Sequence, residues 1–209
     1  MILSNHALLQ AMKKGWFAIE NLPITLDQLD PSRAPFNTSA IDLHLGEELA
    51  IPSQAGSSPI TIDFMSGGGI ARLLEKTSDH KVITADQPYK LNHGQFLLAK
   101  TRERVDFRPR TEVAFGDYPS VSSLAARVEG KSSLARCGIL VHFTAPTIHA
   151  GFFGTITLEM MNLGPWPILL TPGMPICQLI VETVLGVVVD APNQFAGQSR
   201  PAGAEGKSK

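Results

Sequence analysis

Apolar and more polar residues alternate along Gly154-Thr155-Ile156-Thr157-Leu158-Glu159-Met160-Met161. The residues that share the apolar face of this extended segment are Ile156, Leu158 and Met160. A period of two residues is typical of a β-strand with one buried face. Segments 39–45 and 139–144 alternate in the same way. The sequence therefore predicts a fold that is mainly β-sheet.

Turn signals separate the strand-like segments. Pro172-Gly173 suits the centre of a tight turn, and Asn92-His93-Gly94 predicts a second turn. One helix has clear boundaries, because Ser4 can cap it and it runs to about Lys14, just before Gly15. Many short strands with a short N-terminal helix indicate a β-sandwich, a barrel or a jelly roll.

The composition is that of an ordinary globular protein. The chain has 209 residues, of which 44% are hydrophobic and 18% charged, and this is enough for one domain with a substantial core. The predicted organisation is one β domain over residues 1–190, followed by a flexible tail over residues 191–209. The tail is predicted to be flexible because its small and polar residues have little surface to bury.

Charge and hydropathy also bear on partners and location. A formal net charge of −1 argues against dedicated binding to nucleic acid or to a membrane surface, where a basic excess is expected. The apolar stretches are too short to span a bilayer, and the N-terminal segment lacks the apolar core of a signal peptide. We therefore expect a cytoplasmic protein that binds neither nucleic acid nor membranes.

The two cysteines argue against zinc chemistry. Cys137 and Cys177 each stand alone in an apolar segment, which predicts that both are buried small hydrophobic residues. The sequence has no Cys-x-x-Cys pair preceded by His-x-Glu. The metal site of the zinc-dependent nucleoside and base deaminases is therefore excluded.

The run Glu129-Gly130-Lys131-Ser132-Ser133-Leu134-Ala135-Arg136 combines positive charge with hydroxyl groups. Gly130 allows the backbone to approach a ligand closely. The side chains suited to holding an anion are Lys131, Ser132, Ser133 and Arg136. A second interpretation is a helical turn capped by Ser132 or Ser133. Both interpretations remain open, since a helix N-terminus itself attracts anions.

Three acidic or basic side chains elsewhere each allow two interpretations. Glu159 lies on the less apolar face of its strand, either facing solvent or partly desolvated and suited to general acid–base catalysis. Asp42 in segment 39–45 and His149 in a glycine-rich loop are candidate site residues, and the second interpretation of each is an ordinary surface residue. With the run 129–136, Glu159 points to an enzyme that acts on a phosphorylated small molecule.

Several segments in order along the chain resemble the dCTP deaminase family of the dUTPase superfamily. They are the N-terminal helix after Ile2, Thr38–Gly46, Glu129–Arg136, Val141–Ala145, Gly151–Gly154, Leu158–Asn162, Pro172–Ile176 and Phe195–Ser199. The separation of 23 residues between Arg136 and Glu159 also resembles the family.

The resemblance implies a distorted jelly-roll, or β-clip, dUTPase-like fold. It also implies a homotrimer with active sites between subunits, and hydrolytic deamination of dCTP to dUTP and ammonia. The family uses no catalytic metal, and Mg²⁺ accompanies the triphosphate of the deoxycytidine nucleotide.

The resemblance also implies a role for each site residue. Glu159 takes a proton from the attacking water and passes it on, while Ser132 and Arg136 position the water and the leaving group. The substrate-binding residues implied by the resemblance are Lys131, Ser133, Ala145, His149, Phe195 and Gln198. Lys131, Ser132 and Ser133 hold phosphates, the backbone of Ala145 recognises the base, and the tail closes over the triphosphate.

The chain departs from the family pattern at the far end of the substrate. His149 stands where the family usually carries Asp beside the deoxyribose, and Gln194 and Phe195 stand where it usually carries Lys and Tyr. Two alternatives therefore stay open. One is a dUTP pyrophosphohydrolase or a bifunctional dCTP deaminase and dUTPase, and the other is a non-catalytic nucleotide-binding homologue.

Overall fold

A computed structural model describes residues 1–53, 61–63, 69–108, 121–189, 191 and 195–203. The helices are α1 (Asn5–Lys13), α2 (Ile70–Thr77) and α3 (Ser132–Ala135), with one 3₁₀ turn at Leu26–Gln28. The first six strands are β1 (Ala18–Glu20), β2 (Phe36–Asn37), β3 (Ala40–Pro52), β4 (Ser78–Val82), β5 (Tyr89–Leu91) and β6 (Phe96–Asp106). The remaining strands are β7 (Val121–Gly130), β8 (Ile139–Val141), β9 (Thr147–Ile148), β10 (Phe153–Asn162), β11 (Ile168–Leu170) and β12 (Pro175–Leu185).

Ten of these strands form one antiparallel sheet. Its main path is β8-β10-β6-β3-β12-β7-β9, with β1 added to β6 and with β2 and β4 added to β3. The long strand β3 joins the two halves, because Ile41–His44 pair with β12 whereas Leu45–Ala50 pair with β6. β5 and β11 form a separate pair. The prediction of a mainly β fold with a short N-terminal helix is confirmed.

The core lies where the alternating strands face one another. The predicted apolar face of β10 is buried, and so are the apolar residues that alternate along β3. Helix α1 closes one end of this core, and Ser4 caps it by accepting a hydrogen bond from the backbone N–H of Ala7 at 3.3 Å. The chain turns after α1 at Gly15, whose φ of 68° favours glycine.

Cys137 differs from the sequence prediction. Cys177 is buried on β12 as predicted, but Cys137 is exposed. The physical reason is that Cys137 lies in the turn between α3 and β8, outside the apolar strand that the sequence predicted there.

Gln194, where the chain departs from the family pattern, lies outside the described residues. Residues 70–75, whose sequence fits either a short strand or a helical turn, lie in helix α2. Among the described helices, none has both the length and the apolar character needed to cross a membrane.

Candidate active site

Glu159 lies on the second strand from one end of the main sheet path, and this strand has neighbours on both sides. Its strand β10 pairs with β6 on one side and with β8 on the other, and Glu159 is opposite Leu98. The side chain is 31% exposed. Of the two interpretations that the sequence allows, the structure therefore favours a partly desolvated carboxylate with access to solvent.

Glu159 faces a buried histidine that the sequence analysis did not single out. The Nδ1 atom of His142 is 2.9 Å from Oε2 of Glu159, and the His142 side chain is only 7% exposed. The two atoms are close, but their angles are not those of a hydrogen bond, since neither atom has a hydrogen-bond partner within the described residues.

Unpaired polar atoms are concentrated at this point of the molecule. Five buried side-chain polar atoms lack a hydrogen-bond partner in the described part of the chain, and four of them belong to His142, Thr157 and Glu159. Buried polar groups are normally paired, so such a cluster indicates a place where a ligand or water supplies the missing partners.

The backbone bends sharply away from β10 beside Glu159. The N–H of His142 donates to the carbonyl of Glu159 at 2.8 Å, and the chain then leaves the strand. His142 and Thr144 have φ angles of 55° and 82°, a region that costs non-glycine residues energy and that is concentrated at functional sites. The bend ends the strand alternation at Val141, which explains why the sequence pattern did not reveal His142. Ala145, the predicted base contact, is exposed just after the bend.

Lys131 and Asp42 form an ion pair in the single chain. Their Nζ and Oδ2 atoms are 2.7 Å apart, and both side chains are less than one-fifth exposed. The other oxygen of Asp42 accepts a hydrogen bond from Asn37 at 2.9 Å and a longer one from Gln178 at 3.4 Å. Asp42 is therefore half-buried and paired, and it balances the charge of the lysine predicted to hold phosphate.

The rest of the predicted anion-binding run faces solvent. Ser132 and Ser133 begin the short helix α3, but Lys131 occupies the N-cap position without a side-chain cap bond. The interpretation in which Ser132 or Ser133 caps this turn is therefore wrong, because the turn starts at Ser132, at least one residue earlier than a serine cap requires. Arg136 is exposed and has no ion-pair partner among the described residues.

Ser132 and Arg136 lie in and just after helix α3, not beside Glu159 on β10. Helix α3 leads into β8, where Ile139 is opposite Asn162. Asn162 is three residues from Glu159, which is about 10 Å along a strand. Within the described residues, no hydrogen bond or ion pair joins Ser132 or Arg136 to Glu159.

The described part of the tail packs on the start of β10. The buried Gln198 donates from Nε2 to the carbonyl of Thr155 at 2.9 Å, and its own carbonyl accepts from the N–H of Thr155 at 3.0 Å. Gly154 is needed there, since its φ is 134° and a Cβ would lie 2.7 Å from the Gln198 carbonyl oxygen. Phe195 packs partly buried against the core, whereas His149 is exposed.

A resident metal site is not formed by the described side chains. Across residues 1–53, 61–63, 69–108, 121–189, 191 and 195–203, no three His, Cys, Asp or Glu side chains converge closely enough to hold a metal ion.

Comparisons with known proteins agree with the resemblance. A family model described as dCTP deaminase-like matches residues 2–184. The dCTP deaminase of Haloarcula marismortui is 35% identical over 207 residues, covering 96% of this chain and 92% of the relative. A protein named dCTP deaminase, dUMP-forming, from Methanosphaera stadtmanae is 31% identical over 207 residues, covering 96% and 91%.

The fold also matches a solved structure. The 2'-deoxycytidine 5'-triphosphate deaminase of Agrobacterium tumefaciens superposes with a TM-score of 0.57 at 18% identity, covering 86% of this chain and 47% of that chain. The present chain thus spans about half the length of that protein. This likeness confirms the distorted jelly-roll, dUTPase-like β fold.

Proposed function

This chain belongs to the dCTP deaminase-like family, and from that membership we propose that it is an enzyme that hydrolyses dCTP to dUTP and ammonia without a catalytic metal. The observation that carries the proposal is the cluster of unpaired polar atoms on His142, Thr157 and Glu159. The Glu159 side chain is 31% exposed although its Oε2 atom is buried, and a partly desolvated carboxylate of this kind suits a general base.

In the proposed reaction, Glu159 takes a proton from water while the water oxygen bonds to C4 of the cytosine ring. Glu159 delivers that proton to the ring nitrogen N3, then takes the proton of the new C4 hydroxyl group and passes it to the leaving amine as the C4–N bond breaks. The products are a C4 carbonyl and ammonia. His142 lies 2.9 Å from the carboxylate, and in this proposal its ring limits the positions that the Glu159 side chain can take.

The remaining roles require a second copy of the chain. Arg136 and Ser132 lie away from Glu159 in one chain, and both are exposed. We propose that they reach Glu159 of a neighbouring copy in a homotrimer, where they position the water and the leaving group. Trp166, which is 65% exposed, adds apolar surface of the kind found at subunit contacts.

The substrate in this proposal is the magnesium complex of dCTP, bound in the cytoplasm. Lys131 and Ser133 contact its phosphates, and the backbone of Ala145 reads the base. His149 lies near the sugar, and Phe195 and Gln198 bring the tail over the triphosphate. Binding of phosphate by Lys131 competes with its ion pair to Asp42, so Asp42 regulates the charge available to the substrate.

A second candidate function is deamination followed by cleavage of the triphosphate to dUMP. It is favoured by the relative from Methanosphaera stadtmanae, whose name describes it as dUMP-forming. His149 counts against this candidate, because the resemblance to the dUTPase superfamily implies an Asp at this position to activate water.

One assay tests both candidates. The purified full chain is incubated with dCTP and Mg²⁺, and the nucleotides are separated by chromatography while ammonia is measured. Equal amounts of dUTP and ammonia are expected. Ammonia with dUMP and pyrophosphate favours the second candidate, and no turnover of dCTP contradicts both.

A further inference from the structure

Residues 195–203, near the C-terminus, lie across the face of the sheet that carries Glu159, and we call this segment the strap. Residues opposite each other on neighbouring strands point to the same side of a sheet. Leu98 of β6 is opposite Glu159, and Ala50 of β3 is opposite Leu98. Lys100 lies two residues from Leu98 on β6 and shares its face. A contact of the strap with any of these side chains is therefore on the side of the sheet to which Glu159 points.

Backbone hydrogen bonds hold the first part of the strap on β10. The N–H of Gly197 donates to the carbonyl of Phe153 at 2.7 Å, and the N–H of Thr155 donates to the carbonyl of Gln198 at 3.0 Å. Gly197 has a φ of 81°, and a Cβ there would lie 3.2 Å from the Phe153 ring. The strap thus adds a short paired segment to the start of β10.

The last part of the strap is buried beside the strand neighbour of Glu159. Ala202 is 5% exposed and forms one apolar cluster with Ala50 and Leu98, against which Leu74 of α2 also packs. Leu98 is the residue directly opposite Glu159 on β6. The strap and α2 therefore cover the sheet face on the β6 side of Glu159.

Lys100 joins the middle of the strap to the sheet. Its Nζ atom donates to the carbonyl of Ser199 at 2.8 Å and to Oε1 of Glu48 at 2.7 Å. The Lys100 side chain is only 17% exposed, and a charged donor makes a stronger hydrogen bond than a neutral one. A second ion pair joins Arg200 to Glu75, but its side chains are 46% and 35% exposed, and exposed pairs contribute little. Lys100 is therefore the stronger of the two attachments.

Open cavities lie on both sides of the contact between Lys100 and Ser199. One has a volume of about 650 Å³ and extends to Arg102, and the other has a volume of about 540 Å³ and extends to His80. Glu48, Lys100 and Ser199 line both cavities. The strap therefore crosses open space at Ser199, and the hydrogen bond from Lys100 attaches it to the sheet at that point.

We propose that Lys100 is a positioning residue that holds the strap against the Glu159 face before the substrate binds. This role rests on the proposed deamination, in which Phe195 and Gln198 of the strap lie over the triphosphate. A segment that is already docked loses less entropy when a ligand binds to it. Lys100 therefore strengthens substrate binding rather than the chemical step, and its loss raises KM more than it lowers kcat.

Amide hydrogen exchange of the full chain without nucleotide tests the attachment itself. Lys100→Met removes the charge and keeps the stem, and we expect the Gly197 and Thr155 amides to exchange at least about tenfold faster, because a charged hydrogen bond is lost. Lys100→Arg keeps a charged donor and should stay within about threefold of wild type. Lys90→Met changes an exposed lysine on β5 and should have no effect. The Leu158 amide in the middle of β10 should exchange at the wild-type rate in every variant, which excludes general unfolding.

Three results of this experiment overturn the role of Lys100. One is equal exchange at Gly197 and Thr155 in wild type and Lys100→Met. Another is faster exchange that extends equally to Leu158, because the substitution then loosens the whole fold. The third is an equal or larger effect of Arg200→Met, because the exposed pair then holds the strap.

Steady-state kinetics of ammonia release from dCTP gives the consequence for activity. In Lys100→Met we expect KM to rise about tenfold and kcat to stay within about threefold of wild type, since fewer molecules have a docked strap when the substrate arrives. A fall in kcat at unchanged KM contradicts a role in binding. If wild type releases no ammonia, the proposed function fails, while the exchange measurement still decides whether Lys100 holds the strap.

Discussion

Two histidine–glutamate pairs in this chain have nearly the same separation and opposite surroundings. His44 and Glu103 are 2.7 Å apart, and His142 and Glu159 are 2.9 Å apart. Glu103 is fully buried, and its second oxygen accepts the backbone N–H of His44 at 2.8 Å. Glu159 is partly exposed, and its Oε2 atom has no hydrogen-bond partner in the described part of the chain.

The difference lies in whether the fold completes the hydrogen bonds. The first pair joins β3 to β6 and uses both carboxylate oxygens, as a structural pair must in a dry interior. The second pair lies at the bend where His142 has a positive φ. Both ring nitrogens of His142 and Oε2 of Glu159 have no hydrogen-bond partner in the described part of the chain. Identical residue types therefore complete their hydrogen bonds in one place and leave polar atoms unpaired in the other.

The largest expected effect is the loss of chemistry in Glu159→Gln. Removing the general base should lower kcat for ammonia release by about 10²–10⁴-fold, because the amide does not accept the proton of water. The free energy of unfolding should change by less than about 1 kcal/mol, since the carboxylate makes no completed bond. Ammonia release and urea denaturation measure the two effects, and an active Glu159→Gln variant contradicts the assignment.

Glu103→Ala should show the opposite pattern. It leaves the His44 N–H and ring buried without their acceptor, so the free energy of unfolding should fall by about 3–5 kcal/mol. Urea denaturation followed by fluorescence checks this value. Glu103→Gln keeps one acceptor and provides the measurement if the alanine variant does not fold. A stability equal to that of wild type in both variants removes the distinction between the two pairs.

His142→Asn tests whether the histidine orients Glu159. Asparagine tolerates a positive φ, so this substitution preserves the bend and removes the imidazole. We expect kcat to fall about 10- to 100-fold through loss of alignment, with a smaller change in KM. Steady-state kinetics with dCTP gives both constants. His142→Gly serves as a control for the backbone, and a kcat equal to that of wild type in His142→Asn contradicts a positioning role.

The smallest expected effect concerns the two thiols. Burial, with a further contribution from the nearby Glu103 and Asp42 carboxylates, raises the pKa of the Cys177 thiol well above its usual range. A higher pKa means less thiolate at a given pH, and the thiolate is the reactive form. At pH 8, a thiol reagent should therefore modify the exposed Cys137 in the native protein and Cys177 only after unfolding.

The Cys137→Ser variant is the control for the thiol prediction. Native Cys137→Ser should give no rapid reaction, and Glu103→Ala should increase the rate at Cys177 by loosening its surroundings. Rapid modification of Cys177 in folded Cys137→Ser contradicts its burial.

Local patterns were sufficient to predict the strands and the first helix. The alternation over residues 154–161 depends only on neighbours in the sequence, and so does the cap at Ser4. The face that carries Glu159 followed directly from that alternation. The sequence also indicated that the run 129–136 combines positive charge with hydroxyl groups, but it did not predict that Lys131 pairs with Asp42.

Long-range pairing could not be predicted from the same patterns. His44 and Glu103 are 59 residues apart, and their contact depends on how β3 meets β6. The Lys131–Asp42 pair likewise joins two distant parts of the sequence, the start of α3 and the strand β3. The sequence pattern did not predict where the His142 side chain lies, because β8 ends just before it and the alternation no longer indicates its face. Thr157 fits the pattern of an ordinary strand residue, and only its missing hydrogen bond distinguishes it.

The central claim is that water replaces the amino group of the cytosine ring by means of Glu159. The most direct test is to run the reaction with dCTP in water enriched in ¹⁸O and to analyse the pyrimidine product by mass spectrometry. Wild type should place one ¹⁸O atom on the base, and Glu159→Gln should give almost no labelled product. A product without ¹⁸O in its base, or equal labelling by both proteins, would contradict the account.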